Sequence, residues 1–308
     1  MSEHLERYFH QAHLQWENGH IDGAIESLRQ ALSQDPDFAE AHALLALCLL
    51  QKRRIHAARY EADIALSLEP DLPLAHHAIA NILLAMRKFA EAEQHLTFLL
   101  DQDPNEALYY RNLATLYDLQ GKKTKILPLL EKALELEPEN PHTLAALSEY
   151  YLHKDLPRAE AYAHNALQIA ADNADALIAM GHVLLEKKHY NDAREHAVWA
   201  LRNDPENSSA LYLLSAIKAK TNWFLGLWWR YNAWVMRVGS TRAILVLLSA
   251  FIIYRLATII SFDMQRADIA AMINIAWLAV VVYTFVGPTI FNKSLRKELE
   301  SIQLSNKF

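Results

Sequence analysis

Fifteen histidines form the largest chemical resource of this 308-residue chain, and all of them fall in residues 1–220. His10 and His13 are three apart, with Glu6 a turn earlier, a spacing that on a helix sets potential zinc ligands on one face. No fourth ligand accompanies them, and the adjacent His76 and His77 do not share a helix face, so no metal site is expected. Cys48 is the single cysteine; it excludes an intramolecular disulfide and reads as a small core residue rather than a nucleophile. The chain has no phosphate-binding glycine loop, no GxSxG elbow, no HExxH and no paired-cysteine zinc motif. Seven glycines leave little material for active-site loops. Neither enzyme chemistry nor a cofactor is expected.

The elements that position these side chains follow from one phrase. Ala58, Ala62, Ala65-Leu66 and Pro70 have counterparts at Ala24/Leu28/Ala31-Leu32/Pro36 and Ala92/Leu96/Leu99-Leu100/Pro104. The phrase recurs at Ile126/Leu130/Ala133-Leu134/Pro138, at Ala159/Ala163/Ala166-Leu167 with Ala171 in place of proline, and at Ala193/Ala197/Ala200-Leu201/Pro205. Small residues let two antiparallel helices approach, larger apolar ones fill the groove between them, and the proline stands where the helix must stop. One such hairpin cannot bury its apolar face alone, so the units must stack.

This phrase resembles the tetratricopeptide repeat (TPR) family. The resemblance implies an all-α superhelical solenoid over residues 1–220, with six helix-turn-helix repeats at about 5–38, 39–72, 73–106, 107–140, 141–173 and 174–207. A half-repeat or capping helix follows at 208–220, with Ser208 or Ser209 as its N-cap. Tyr8, Gln11 and Gln15 give the first repeat the polar character of a cap, and Pro128 implies a late or bent start to one helix. In this family the first helix of each hairpin lines a concave surface. Carried onto this chain, that surface holds His77, Asn81, Arg111, Asn112, Thr115, His142, Glu149 and His182. Asparagines there can bond both donor and acceptor of an extended peptide, so the implied ligand is a protein or peptide. Asn81 and Asn112 match two asparagine positions of the carboxylate-clamp members that hold chaperone C-termini. His77 and His142 replace the clamp's lysines and Ala146 its arginine, so that ligand is not implied.

After the repeats the composition changes. Residues 1–220 hold 21 Lys and Arg against 32 Asp and Glu; residues 221–308 hold 9 against 4. An acidic repeat region excludes a nucleic-acid backbone as main partner. Residues 221–242 read as an aromatic interfacial segment, with Trp223, Trp228, Trp229 and Trp234 suited to a headgroup layer and Arg230 and Arg237 to lipid phosphate. Residues 243–262 and 269–291 are each apolar enough for a transmembrane helix, joined by the polar loop 263–268 and followed by a polar tail at 292–308. Arg255 and Asn274 are the polar residues singled out inside them, Arg255 to snorkel or to pair with Asp263 or Asp268, Asn274 to bond between helices. Arg230, Arg237 and Arg242 before the first span, and Lys293, Arg296 and Lys297 after the second, put both termini and the repeats in the cytoplasm and the loop outside. The N-terminus lacks the basic and apolar regions of a secretory signal.

The sequence therefore reads as a membrane-anchored repeat adaptor of the bacterial inner membrane type, with the lipid bilayer and an integral protein among its partners. Two other readings stay open: a structural subunit of a secretion, transport or envelope-assembly complex whose main interface is the hairpin, or a homo-oligomeric membrane scaffold. Residues 1–220 alone are expected to be helical and soluble without detergent by circular dichroism and gel filtration. Aggregation of that segment would mean that the hairpin packs against the repeats.

Overall fold

The computed structural model describes residues 3–205, 207–221 and 240–279, with helical positions at 281, 282, 286, 289 and 293; side chains of the later segment are described from Leu248 on. It forms two compact units, Met1–Ala171 and Asp172–Phe308. Every regular element among the described residues is helical.

The first unit is five antiparallel hairpins: α1 (Glu3–Glu17) with α2 (Ile21–Gln34), α3 (Ala39–Gln51) with α4 (Ile55–Leu68), α5 (Pro73–Ala85) with α6 (Phe89–Gln102), α7 (Ala107–Leu119) with α8 (Ile126–Leu136), and α9 (Pro141–Tyr151) with α10 (Leu156–Ile169). Ala24, Ala58, Ala92, Ala62, Ala163 and Ala166 are fully buried, so their methyl groups are the whole thickness of side chain between paired helices. Leu28, Leu44, Ile79, Leu83, Leu96 and Leu99 fill the grooves at under 2% exposure, each stabilising by about 1.5–3 kcal/mol through burial. Cys48 belongs to this core, fully buried; burial pushes its thiol up to about 12.

Proline reinforces the end of the second helix of a hairpin through the residue before it. Asp35, Glu69 and Asp103 take extended backbone at φ −136°, −133° and −134°, where the proline ring disfavours the α conformation one residue earlier. Ala170 does the same at φ −141° before Ala171, so the proline reinforces a turn the repeat also forms without it. The amide groups of Asp35, Glu69 and Asp103 still donate to the carbonyls of Ala31, Ala65 and Leu99. The next helix is then tied back to the turn. His42 Nε2 donates to Pro36 O at 2.9 Å, His76 Nε2 to Pro70 O at 2.7 Å, and the Tyr110 hydroxyl to Pro104 O at 2.9 Å. These three donors occupy the same place in successive repeats. His42 also reaches Glu61 through Nδ1 at 2.6 Å. The matching place in the next hairpin holds His95, whose Nδ1 lies 3.1 Å from that of His76, and His76 stacks on Phe98. Burial first, then His76 and Arg59, lower the His95 pKa. Later hairpins use side-chain caps: Asn140 accepts from His142 and Thr143 amides, and Asp155 from that of Arg158. α8 begins at Ile126 after a 3-10 turn at Lys123–Lys125, with Pro128 in its first turn. That is a late start, because Phe89, the first residue of α6, has Lys123 as its counterpart in the following repeat.

In the second unit α11 (Ala174–Glu186), α12 (Tyr190–Asn203) and α13 (Ser208–Thr221) pack together. The expected serine cap of α13 is corrected: Asn207 Oδ1 accepts from the amides of Ser209 and Ala210, since asparagine one residue earlier already places its oxygen over the free amides. α14 (Ser240–Asp263) turns at Gln265, φ 56°, into α15, residues 267–279. The Tyr254 hydroxyl donates to Asn274 Oδ1 at 2.7 Å across this pair, and the Tyr254 ring stacks on Trp277 at 4.7 Å. Arg255 does not pair with Asp268, which is held instead by Arg266 at 3.2 Å, two residues away. No helix among the described residues is long and apolar enough to cross a membrane. Trp223, Trp228, Trp229, Arg230, Trp234 and Arg237 lie outside the described residues.

Five of the turns inside hairpins hold one left-handed residue, and the turn between α9 and α10 holds none. Gly19 (φ 74°) and Gly121 (φ 73°) supply it cheaply, but Arg53 (φ 56°), Arg87 (φ 59°) and Lys188 (φ 64°) occupy the same place in their hairpins. A side chain in that region is strained by about 1–2 kcal/mol, offset in part by the lower flexibility of a non-glycine residue in the unfolded chain. Arg53→Gly is therefore expected to raise stability by up to about 1 kcal/mol, and Gly121→Arg to lower it by about the same, in thermal unfolding followed by circular dichroism.

Candidate functional site

The candidate residues of the first unit lie on α5, α7 and α9, the first helices of three successive hairpins. On α5, His77 and Asn81 are one turn apart, and Asn81 Nδ2 donates to His77 Nε2 at 2.8 Å and to His77 O at 3.1 Å. The His77 ring is thus an acceptor at Nε2. Burial, then the nearby Arg111 charge, push its pKa down to about 4.

Arg111, on α7, has a side chain only 15% exposed. Its Nη1 lies 3.7 Å from Glu137 Oε2, in the turn before α9, and 3.4 Å from Thr143 Oγ1 in the first turn of α9. Thr143 is held there because its amide and that of His142 donate to Asn140. Arg111 therefore links two successive first helices while its charge faces His77. Its neighbour Asn112 differs: Nδ2 is shielded from solvent and has no hydrogen-bond partner among the described residues, a state that costs about 1–3 kcal/mol. Thr115 gives its hydroxyl to Arg111 O at 3.0 Å. His142 and Glu149 are exposed on α9, and His182, on α11 of the second unit, is half-buried.

The structure therefore brings together His77, Asn81 and Arg111, and adds Glu137 and Thr143, which sequence reasoning did not name. It also adds Tyr117, whose hydroxyl donates to Glu93 Oε1 at 2.6 Å; that hydrogen bond first, then burial, push the phenol up to about 12. Lys122 and Lys125 lie over the same ring at 5.4 and 4.6 Å. Glu137 is one of the acidic residues that precede each turn proline, and only the third dimension shows that this one faces an arginine. Among the described residues no group of three or more His, Cys, Asp or Glu could hold a metal ion. His13 Nδ1 instead lies 3.4 Å from Glu17.

Comparison with known proteins gives a consistent family and a shared fold. The profile of the tetratricopeptide repeat matches residues 9–73, 77–141 and 178–217. No curated protein matches the chain. Among solved structures, the APC/C hetero-tetramer Cut9–Hcn1 is similar at 17% identity and a TM-score of 0.55, over 69% of this chain. This chain spans 42% of that one. PilW, described as a widely conserved type IV pilus biogenesis factor, is similar at 19% identity and a TM-score of 0.51, over 70% of this chain and 100% of PilW. At these identities the likeness is one of fold.

The depressed His77 pKa fixes a pH dependence. The folded chain takes up a proton there less readily than the unfolded chain, so this group's contribution is lost as pH falls from about 6.5 toward about 4. Arg111→Gln removes the second cause and is expected to raise the His77 midpoint in an NMR titration of the ring. An unchanged midpoint would show that burial alone sets it.

Proposed function

Because the chain belongs to the tetratricopeptide repeat family, whose members mediate protein–protein interaction and peptide binding, we propose that it is a membrane-anchored adaptor that captures an extended peptide segment of a partner protein along α5, α7 and α9. The observation that carries this reading is Asn112, a shielded donor without a partner among the described residues, beside a cation that links two helices. A peptide carbonyl would satisfy Nδ2 once the Asn112 side chain turns outward, and Asn81, whose Nδ2 is spent on His77, offers its Oδ1 one hairpin away.

The anchoring part rests on α14 and α15. Ile253, Leu256, Ile259, Ile260, Ile275 and Leu278 are 52–68% exposed on this pair of helices, and Tyr254 and Asn274 join the two through their side chains. A continuous apolar surface of this kind marks an interaction with a membrane or another protein. Inserted as a hairpin with the 263–268 loop outside, it would hold the repeats on the cytoplasmic face of a bacterial inner membrane, as the flanking arginines and lysines favour. One observation favours a second reading, in which the hairpin is the main interface of a larger assembly. Arg255 is exposed among those apolar side chains and has neither ion pair nor hydrogen bond among the described residues, so an integral partner with a carboxylate at that depth would find a cation waiting.

Affinity capture from native membranes with the full chain, compared with the Arg111→Glu, Asn112→Asp double variant, separates the two. Under the first reading the double variant weakens capture of the partner roughly ten-fold or more. Undiminished capture by that variant, with loss on Arg255→Leu, would transfer the function to the hairpin.

A further inference from the structure

A hairpin array has two kinds of turn, and in the first unit they carry opposite charge. The turns inside hairpins, at residues 18–20, 52–54, 86–88, 120–125 and 152–155, hold nine lysines and arginines and one aspartate. The turns between hairpins, at residues 35–38, 69–72, 103–106 and 137–140, hold eight carboxylates and no cation. Antiparallel pairing puts the two kinds at opposite ends of the helices. A 14-residue helix such as α4 separates them by about 20 Å, more than two Debye lengths at physiological salt, so neither edge cancels the other.

The cationic edge is maintained at a structural cost. Arg53 and Arg87 hold left-handed backbone where glycine would be relaxed, and both are exposed. Most of these cations remain available. Lys52 pairs with Asp22 at 3.1 Å and Lys88 with Glu91 at 3.2 Å, but these are surface pairs, worth little against a dense anionic array. Lys122 and Lys125 lie over an aromatic ring that leaves their charge in place.

We propose that this edge docks on anionic phospholipid headgroups at the surface of the membrane that holds the chain. The inference rests on the membrane reading above. The cations are spread over four of the five turns along the edge rather than gathered around a pocket, which suits a plane of phosphates and not a single ligand. The second unit, taken by itself, has the same polarity. Lys187 and Lys188 follow α11, and Lys218 and Lys220 close α13, at the end from which the chain runs on to residue 222. The end at which α13 hands the chain on toward residues 222–308 is thus a basic one. The acidic edge would be repelled by the same lipid, so docking selects one orientation.

The test uses the full chain in vesicles of phosphatidylcholine, with or without phosphatidylglycerol, carrying a headgroup-linked acceptor dye. Cys48 is fully buried, so a donor dye can be placed at Thr124→Cys on the cationic edge or at Glu139→Cys on the acidic edge, both exposed positions. Energy transfer from position 124 is expected to exceed that from 139, to rise with phosphatidylglycerol, and to fall at about 1 M salt, where the Debye length is about 3 Å. Replacing Lys52, Arg87, Lys122 and Lys123 by glutamine should lower the docked-to-free ratio, roughly five-fold per cation. Arg53→Gly gives the same direction of effect in a protein that is no less stable, which excludes unfolding as the cause. Equal transfer from both positions, or transfer indifferent to phosphatidylglycerol, overturns the proposal while the anchor stands. Failure of the chain to float with vesicles of either composition overturns both the anchor and the docking.

Discussion

Everything in the repeat units depends on how closely two helices can approach when alanine is all that separates them. Ala58, Ala62 and Ala65 leave no exposed surface at all, and neither do their alanine counterparts in the neighbouring hairpins. That approach seals the pair but leaves a leucine-rich face on each side uncovered, so the next hairpin is required rather than added. Core residues such as Leu28, Ile79 and Leu96 are buried between elements that none of them could bury alone.

Close packing also decides where polar chemistry can sit. The faces between helices are closed to it, which leaves the first-helix surface and the turns. On that surface the side chains restrain one another: Asn81 holds the His77 ring, Arg111 helps to hold it neutral, and Thr143 and Glu137 keep Arg111 spread across two hairpins. In the turns the local backbone sets the terms, extended before proline and left-handed inside the hairpin. Charge then follows the turn type, and a weakly acidic whole resolves into two edges of opposite sign.

The repeat fold was legible in the sequence because its cause is periodic, whereas the two apolar stretches read as membrane spans have no helix among the described residues long and apolar enough to cross a membrane. Alanine spacing named the paired helices, and the late start of α8 followed from Pro128. The interactions that are not periodic were less visible. Residues 208 and 209 both looked like caps, and only the backbone geometry shows that Asn207 reaches the free amides first. Arg255 was read as free to snorkel or to pair with Asp263 or Asp268, and Asp268 is taken by Arg266, its nearer neighbour in the chain. Of the candidate residues, His77, Asn81 and Arg111 were named by carrying the family's concave-face positions along the repeat register, whereas Glu93, Glu137 and Thr143 come near them through turns and neighbouring helices. The recurrence of histidine at His42 and His76 was present in the sequence, yet the partner of each ring is a backbone carbonyl, which leaves no mark on side-chain composition.

The bond from His42, His76 or Tyr110 to the proline carbonyl is local, made to the turn just before the donor's own helix. It joins each hairpin to the turn that delivers it and asks nothing of the hairpin that comes after. A repeat such as 39–72 holds a donor, His42, for the turn before it and a carbonyl, that of Pro70, for the helix after it, so duplicating or deleting it as one block would leave both new neighbours joined. Array length is therefore open to change by recombination, and the limit on it lies in the ends, where α1 closes one face with Leu5 and Ala12 buried and a polar outer side.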